Sequence, residues 1–225
     1  MRLSLIVPAY NEARILPGSL RRLHEAFPEA ELIVVSDGCS DDTRVVCGAF
    51  SFPVRVLSHR PNRGKGFAVK RGMLAARGEL LVFTDADLPF GTDGVAAVVE
   101  RLAAPGAPDI VIASKAAEQR GLVYQAARSL VRRAVRALLG LRFADTQAGL
   151  KGFRREPAAT IFAQTIIERF ATDMEILYIA QQHGYRVEPV PLDFDETHLR
   201  PSSFTAKQGA MLLRDIWRIR RTAYR

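Results

Sequence analysis

The chain has 225 residues, 48% of them hydrophobic and 25% charged, which allows a sizeable core and excludes a disordered or fibrous protein. Its formal net charge of +8 calls for an anionic partner, and composition leaves nucleic acid, phosphate ligands and an acidic membrane all open. Two cysteines, Cys39 and Cys47, are too few for a disulfide framework and read as reduced thiols. With no leader-like N-terminus and no bilayer-length apolar run, they lead us to expect a cytoplasmic protein, soluble or peripheral.

In chain order, Leu3–Val7, Leu32–Ser36, Val54–Ser58, Leu80–Thr84 and Ile110–Ala113 are short apolar runs that predict buried strands. Helical patterns separate them over Ala13–Ala26, Asp41–Phe50, Gly66–Ala76 and Asp93–Ala103. Such alternation predicts an α/β fold with a mostly parallel sheet covered by helices on both faces. Leu122–Leu139 predicts an amphipathic helix with an Arg128, Arg132, Arg136 stripe at i, i+4 spacing. Asp145–Phe153 reads as a polar loop leading into a strand, Thr172–His183 as a helix stopped by Gly184, and Tyr185–Phe194 as a strand. Phe204–Tyr224 is a second basic amphipathic helix. No linker divides the chain, so residues 1–225 are expected to form one domain.

Ligands of parallel sheets bind at the carboxyl ends of the strands. Four of those ends carry polar clusters: Pro8 to Glu12, Asp37 to Thr43, Asn62 to Gly66, and Asp85-Ala86-Asp87. Two carboxylates two residues apart can hold one hard divalent cation, magnesium or manganese, that finishes its shell with substrate phosphates. Asn62-Arg63-Gly64-Lys65-Gly66 offers glycines, a helix start and two cations, a combination that suits a phosphate, although taken alone a basic turn with helix-start glycines is favoured. Asp37, where a strand gives way to a turn, can accept from a base or ribose, or cap the turn; for Asp41 and Asp42 the capping role is favoured.

This ordered series, Val7-Pro8-Ala9-Tyr10-Asn11-Glu12, then Asp37-Gly38-Cys39-Ser40-Asp41-Asp42, Asn62 to Gly66 and Asp85 to Asp87, resembles the inverting family-2 glycosyltransferases of GT-A fold. Asp145-Thr146-Gln147-Ala148-Gly149-Leu150-Lys151-Gly152-Phe153 looks like the motif of polyprenyl- and dolichyl-phosphate glucosyltransferases and mannosyltransferases, and Phe170 to Leu177 and Val190-Pro191 resemble segments that follow there. The resemblance implies that Pro8, Tyr10, Glu12 and Asp37 line a nucleoside pocket. It implies Asp85 and Asp87 at the metal and donor phosphates, Lys65 beside the donor, Lys115 and Arg128 at an acceptor phosphate, and Gln147 near sugar and acceptor. Ser36 stands where the family usually shows a first aspartate, and His198 and Ser203 fall where a late contact is common.

The expected reaction moves a hexose from a nucleotide sugar, UDP-glucose ahead of GDP-mannose, to a polyprenyl or dolichyl phosphate. Residues 1–115 would hold the donor and 116–225 the acceptor. The two basic helices either pack on the core with solvated arginines or lie on an anionic membrane, the membrane being favoured for Phe204–Tyr224, and peripheral attachment to its inner face is expected. A hydroxyl acceptor would instead need a base, for which Asp145, Asp173 and Glu175 are candidates. A sugar nucleotidyltransferase would place its glycine-rich loop after the first strand, where this chain has Pro8 to Glu12. Nucleic-acid binding would leave Asp37, Asp85 and Asp87 unexplained, so no nucleic-acid partner is expected.

Overall fold

The computed structural model describes residues 1–115, 135, 138–141, 149–169, 171–195 and 206–224. Strand and helix alternate from the start: β1 (Leu3–Ala9), α1 (Leu16–Ala26), β2 (Glu31–Asp37), α2 (Thr43–Val46), β3 (Val54–His59), α3 (Lys65–Ala75), β4 (Leu80–Phe83) and α4 (Gly91–Ala103). Then come β5 (Ile110–Lys115), β6 (Lys151–Arg154), α5 (Arg155–Gln164), α6 (Thr172–Gln182), β7 (Val187–Leu192) and α7 (Ala206–Arg221).

The strands form a seven-stranded sheet in the order β3-β2-β1-β4-β6-β5-β7. Pairing is parallel except around β6, which lies antiparallel between β4 and β5. The apolar strands read as continuous runs because both faces are covered. On one face Ile6, Ile33, Val35 and Phe83 pack with α3, α5 and α6 residues such as Val69, Phe162 and Ile176. On the other, Leu5, Val7, Val34 and Val82 meet α1 and α4 through Leu20 and Val98. Successive residues of β1 thus enter opposite cores, as a period of two requires.

Prolines mark places where the ladder is open. Pro8 lies two residues beyond Ile6, the last β1 residue paired with β4, so its missing N–H leaves no partner unmet on that side. Pro189 and Pro191 lie on β7, an edge strand paired only with β5.

The helix expected over Asp41–Phe50 is α-helical only at Thr43–Val46, and i→i−3 bonds from Gly48 and Ala49 continue it as turns. The helix expected from Ala13 starts at Leu16, because the Glu12 carbonyl accepts from both Ile15 and Leu16. α5 was not anticipated: its pattern is weak, and Pro157 suits only the first turn, where an N–H would lack a helical partner anyway. Of the helix expected over Leu122–Leu139, the described residues Val135, Leu138 and Leu139 are helical, with Val135 and Leu139 buried. Among the described residues no helix is long and apolar enough to cross a membrane.

Candidate active site

The loops after β1 and β2 are clipped together. The Asp41 carboxylate accepts from Ala13 N at 3.0 Å and from Thr43 N at 3.0 Å and Oγ1 at 2.5 Å, while Thr43 Oγ1 accepts from Glu12 N at 2.8 Å. Asn11 takes a left-handed φ of 56° and its Oδ1 accepts from Ser40 N at 2.9 Å. Cys39 Sγ joins the clip by accepting from Asn11 N at 3.4 Å. Tyr10 is left 51% exposed beside this clip, as an aromatic face open to a ligand. Pro8 and Glu12 are half-buried next to it.

Asp37 ends β2 and is only 3% exposed. Its Oδ1 accepts from His59 Nε2 at 2.7 Å and Arg63 N at 2.8 Å; its Oδ2 accepts from Asn62 Nδ2 at 2.9 Å and Gly64 N at 2.8 Å. Arg71 donates to His59 Nδ1 at 3.1 Å, which makes Nε2 the protonated nitrogen that faces Asp37. The carboxylate expected at the nucleoside is therefore engaged, in this structure, in holding the loop that carries Lys65. Gly38, next to it, has φ +68°, and a Cβ there would collide with the Asn62 backbone nitrogen.

The Asp85-Ala86-Asp87 turn follows β4. Ala86 faces inward, 6% exposed, and its carbonyl accepts from Ser19 Oγ at 2.5 Å. That anchor leaves Asp85 and Asp87 half-buried on either side. Lys65, at the start of α3, reaches Asp85 Oδ1 at 2.5 Å. Desolvation works against the Lys65 charge, but Asp85, Asp173 and Asp87 together outweigh it and hold its pKa above the ordinary lysine value.

Two further residues complete the cluster. Lys151 on β6 is fully buried, and its Nζ donates to Asp173 at 2.6 Å and lies 5.5 Å from the Phe83 ring centroid. Asp173 opens α6, where the helix dipole favours a carboxylate. Gly149 presses against Asp85: a Cβ there would collide with the carboxylate. Lys151 was missed in the sequence reading. Its signal was a lysine inside the strand-like Leu150-Lys151-Gly152-Phe153, where a charge is costly without a partner. Glu175, named as a candidate base, is engaged elsewhere. It is fully buried and accepts from Ile166 N, Ile167 N and Tyr224 Oη at 2.8, 2.9 and 2.8 Å.

The structure thus brings together Asp85, Asp87, Lys65, Lys151 and Asp173, with Asp37 behind them and Pro8, Tyr10 and Glu12 on the neighbouring loop. Lys115 ends β5 on the same edge of the sheet, described by its backbone. Arg128, Asp145, Gln147, His198 and Ser203 lie outside the described residues.

A divalent cation fits here. Its candidate ligands are all carboxylate oxygens, and the glycine against Asp85 leaves that carboxylate room. Among the described residues no group of three or more His, Cys, Asp and Glu could hold a metal alone. Asp85 and Asp87 would therefore share it with phosphate oxygens and water.

Sheet order and covered faces define an α/β fold that gathers these side chains on one edge, and the chain belongs to glycosyl transferase family 2, whose model matches residues 4–162. It is 38% identical over 208 residues to a dolichyl-phosphate beta-glucosyltransferase of Drosophila melanogaster, covering 80% of this chain and 63% of that protein. A mouse protein of the same name is 34% identical over 223 residues, covering 87% and 68%. The chain spans 64% of the length of a further such relative from Trichomonas vaginalis, at 33% identity over 220 residues and 86% of this chain. Among solved structures, Mycobacterium tuberculosis glucosyl-3-phosphoglycerate synthase in complex with UDP superposes with a TM-score of 0.75 at 23% identity, covering 97% of this chain and 80% of that one. The same enzyme has also been solved with Mn2+, UDP-glucose and phosphoglyceric acid, with a TM-score of 0.73 at 21% identity, covering 97% and 79%. The GT-A arrangement expected from the sequence is the one found.

Proposed function

We propose that this chain transfers a hexose, glucose before mannose, from a nucleotide sugar to a polyprenyl or dolichyl phosphate, with inversion. The observation that carries the reading is the Asp85–Lys65 pair at the end of β4, flanked by Asp87, in a chain 38% identical to a dolichyl-phosphate beta-glucosyltransferase. Pro8, Tyr10 and Glu12 would line the nucleoside pocket, with Asp37 holding its floor. Asp85 and Asp87 would hold magnesium or manganese, which would neutralise charge growing on the departing diphosphate. Lys65 adds a cation to the same place and orients Asp85.

A lipid monophosphate has a second pKa of roughly 6, by analogy with phosphorylated side chains, and so needs positioning rather than a strong base. Lys115 and Arg128 would supply that positioning, and Gln147 would sit near the sugar. Asp173, an alternative base, has its Oδ1 engaged by Lys151, which favours the phosphate acceptor over a hydroxyl. Residues 1–115 would serve the donor and 116–225 the acceptor. The exposed face of α7, with Leu213, Trp217 and basic neighbours, supports attachment to an anionic membrane, taken here as its cytoplasmic side.

The test is a donor screen with a soluble polyprenyl-phosphate analogue, scored for nucleoside diphosphate release. UDP-glucose should give release that depends on the analogue. Release that requires a hydroxyl acceptor, or none with any donor, overturns the reading.

A further inference from the structure

The three sides of α7 face different surroundings. Ile216 and Ile219 enter the core, whereas Leu213 and Trp217 are 61% and 55% exposed. The third side, with Met211, Arg214, Asp215 and Arg218, walls a cleft of about 330 Å³. Its opposite wall is the loop before α6, through Ile166, Glu168 and Arg169.

The charges in this cleft are unbalanced. Glu168 is paired with Arg63, and Asp215 has Arg214 at 3.7 Å. Among the described residues, no carboxylate lies within ion-pair distance of Arg169 or Arg218. Both residues are exposed as well as lining the cleft, so their guanidiniums are within reach of an anion, and their planar forks match phosphate oxygens. The cleft is also partly apolar. Ile166 is 38% exposed, Met211 faces it, and Leu213 and Trp217 continue outward on the next stripe of α7. Arg169 also lines the small cavity formed with Lys65, Thr172 and Asp173, so one residue faces both spaces.

We propose that this cleft binds the phosphate headgroup of a lipid phosphate monoester. Arg169 and Arg218 grip the phosphate, and the chain runs over Leu213 and Trp217. The ligand class rests on the lipid-phosphate reading above; the site is a set of cations separate from Lys115 and Arg128. It gives the acceptor a holding place that shares Arg169 with the cavity at Lys65 and Asp173.

Trp217 is the sole tryptophan, so its fluorescence reports on this face directly. The full chain is titrated with phosphatidylcholine vesicles carrying phosphatidic acid, a monoester, or phosphatidylglycerol, a diester, matched in surface potential. Wild type should bind the monoester vesicles about tenfold more tightly, the worth of one charge-assisted hydrogen bond. Arg169→Gln/Arg218→Gln should bring the two to parity without moving the thermal midpoint. Equal binding by wild type, or a preference that survives in the double variant, overturns the proposal. Displacement by glycerol 3-phosphate at matching phosphate concentration would assign the cleft to free phosphate and overturn the lipid. Hexose transfer measured on the same preparations separates the two readings. Monoester preference without transfer keeps the cleft and rejects the reaction. Transfer by the double variant at an unchanged KM for lipid phosphate keeps the reaction and rejects the cleft.

Discussion

Replacing Asp37 with alanine removes one carboxylate and strands the groups aimed at it: His59 Nε2, Asn62 Nδ2, and the backbone N–H groups of Arg63 and Gly64. Asp37 is 3% exposed, so water has little room to take over. A donor left unsatisfied costs about 1–3 kcal/mol. The two side chains can turn toward solvent, but the two backbone amides cannot move without the loop. The loss should therefore come to about 3–5 kcal/mol, a large share of the stability of an ordinary domain. Asp37→Asn should fall between, because its oxygen keeps one pair of donors while its NH2 confronts the other. Urea unfolding followed by circular dichroism measures both, and calorimetry with UDP and a divalent cation measures the consequence for the loop that carries Lys65. A midpoint unchanged in Asp37→Ala together with weakened UDP binding would refute the reasoning. It would turn the carboxylate toward the nucleoside and away from the loop.

Three further outcomes are expected. Asp87→Ala should stay folded, with its melting temperature close to wild type, yet lose nucleoside diphosphate release; EDTA should abolish release in wild type and magnesium or manganese restore it, whereas full turnover in EDTA removes the metal from Asp85 and Asp87. Lys151→Met should cost about 3–5 kcal/mol by leaving Asp173 beside a dry wall, and adding Asp173→Asn should recover part of it; strictly additive losses in denaturant titrations would show that the pair is not coupled. Burial raises the Glu175 pKa above its ordinary 4.5, even though Ile166, Ile167 and Tyr224 donate to it. The stability it lends is complete below that ordinary value and is lost as pH rises through the higher folded value. Measured from pH 4 upward, the stability difference between wild type and Glu175→Gln should shift in favour of the variant. A difference that stays constant with pH contradicts the assignment.

Much of the architecture was legible in the chain. The runs Leu3–Val7, Leu32–Ser36 and Leu80–Thr84 are apolar without alternation, because helices cover both faces of the sheet, and they appear as β1, β2 and β4. The polar clusters that follow them gather on one edge because the strands run parallel, so their carboxyl ends fall together. That placement is why Lys65, at the head of α3, meets Asp85 at the end of β4. Each of these signals is local, carried by residues one or two turns apart.

What the sequence could not decide is set by contacts between distant residues. The insertion of β6 antiparallel between β4 and β5 is one such feature, since a run of four residues carries no direction. Asp37 looks the same in the sequence whether it meets a ribose or a loop; only the approach of His59 and of Asn62 to Gly64, 22 and 25 to 27 residues on, gives it four donors. Lys151 reads as an ordinary cation until β6 buries it and α6 brings Asp173 to 2.6 Å. The cleft of Arg169 and Arg218 likewise exists because α7 packs Ile216 and Ile219 into the core, which sets which of its stripes meets the loop before α6. Periodicity is written along the chain, but a side chain's partner is chosen by which elements the fold sets side by side.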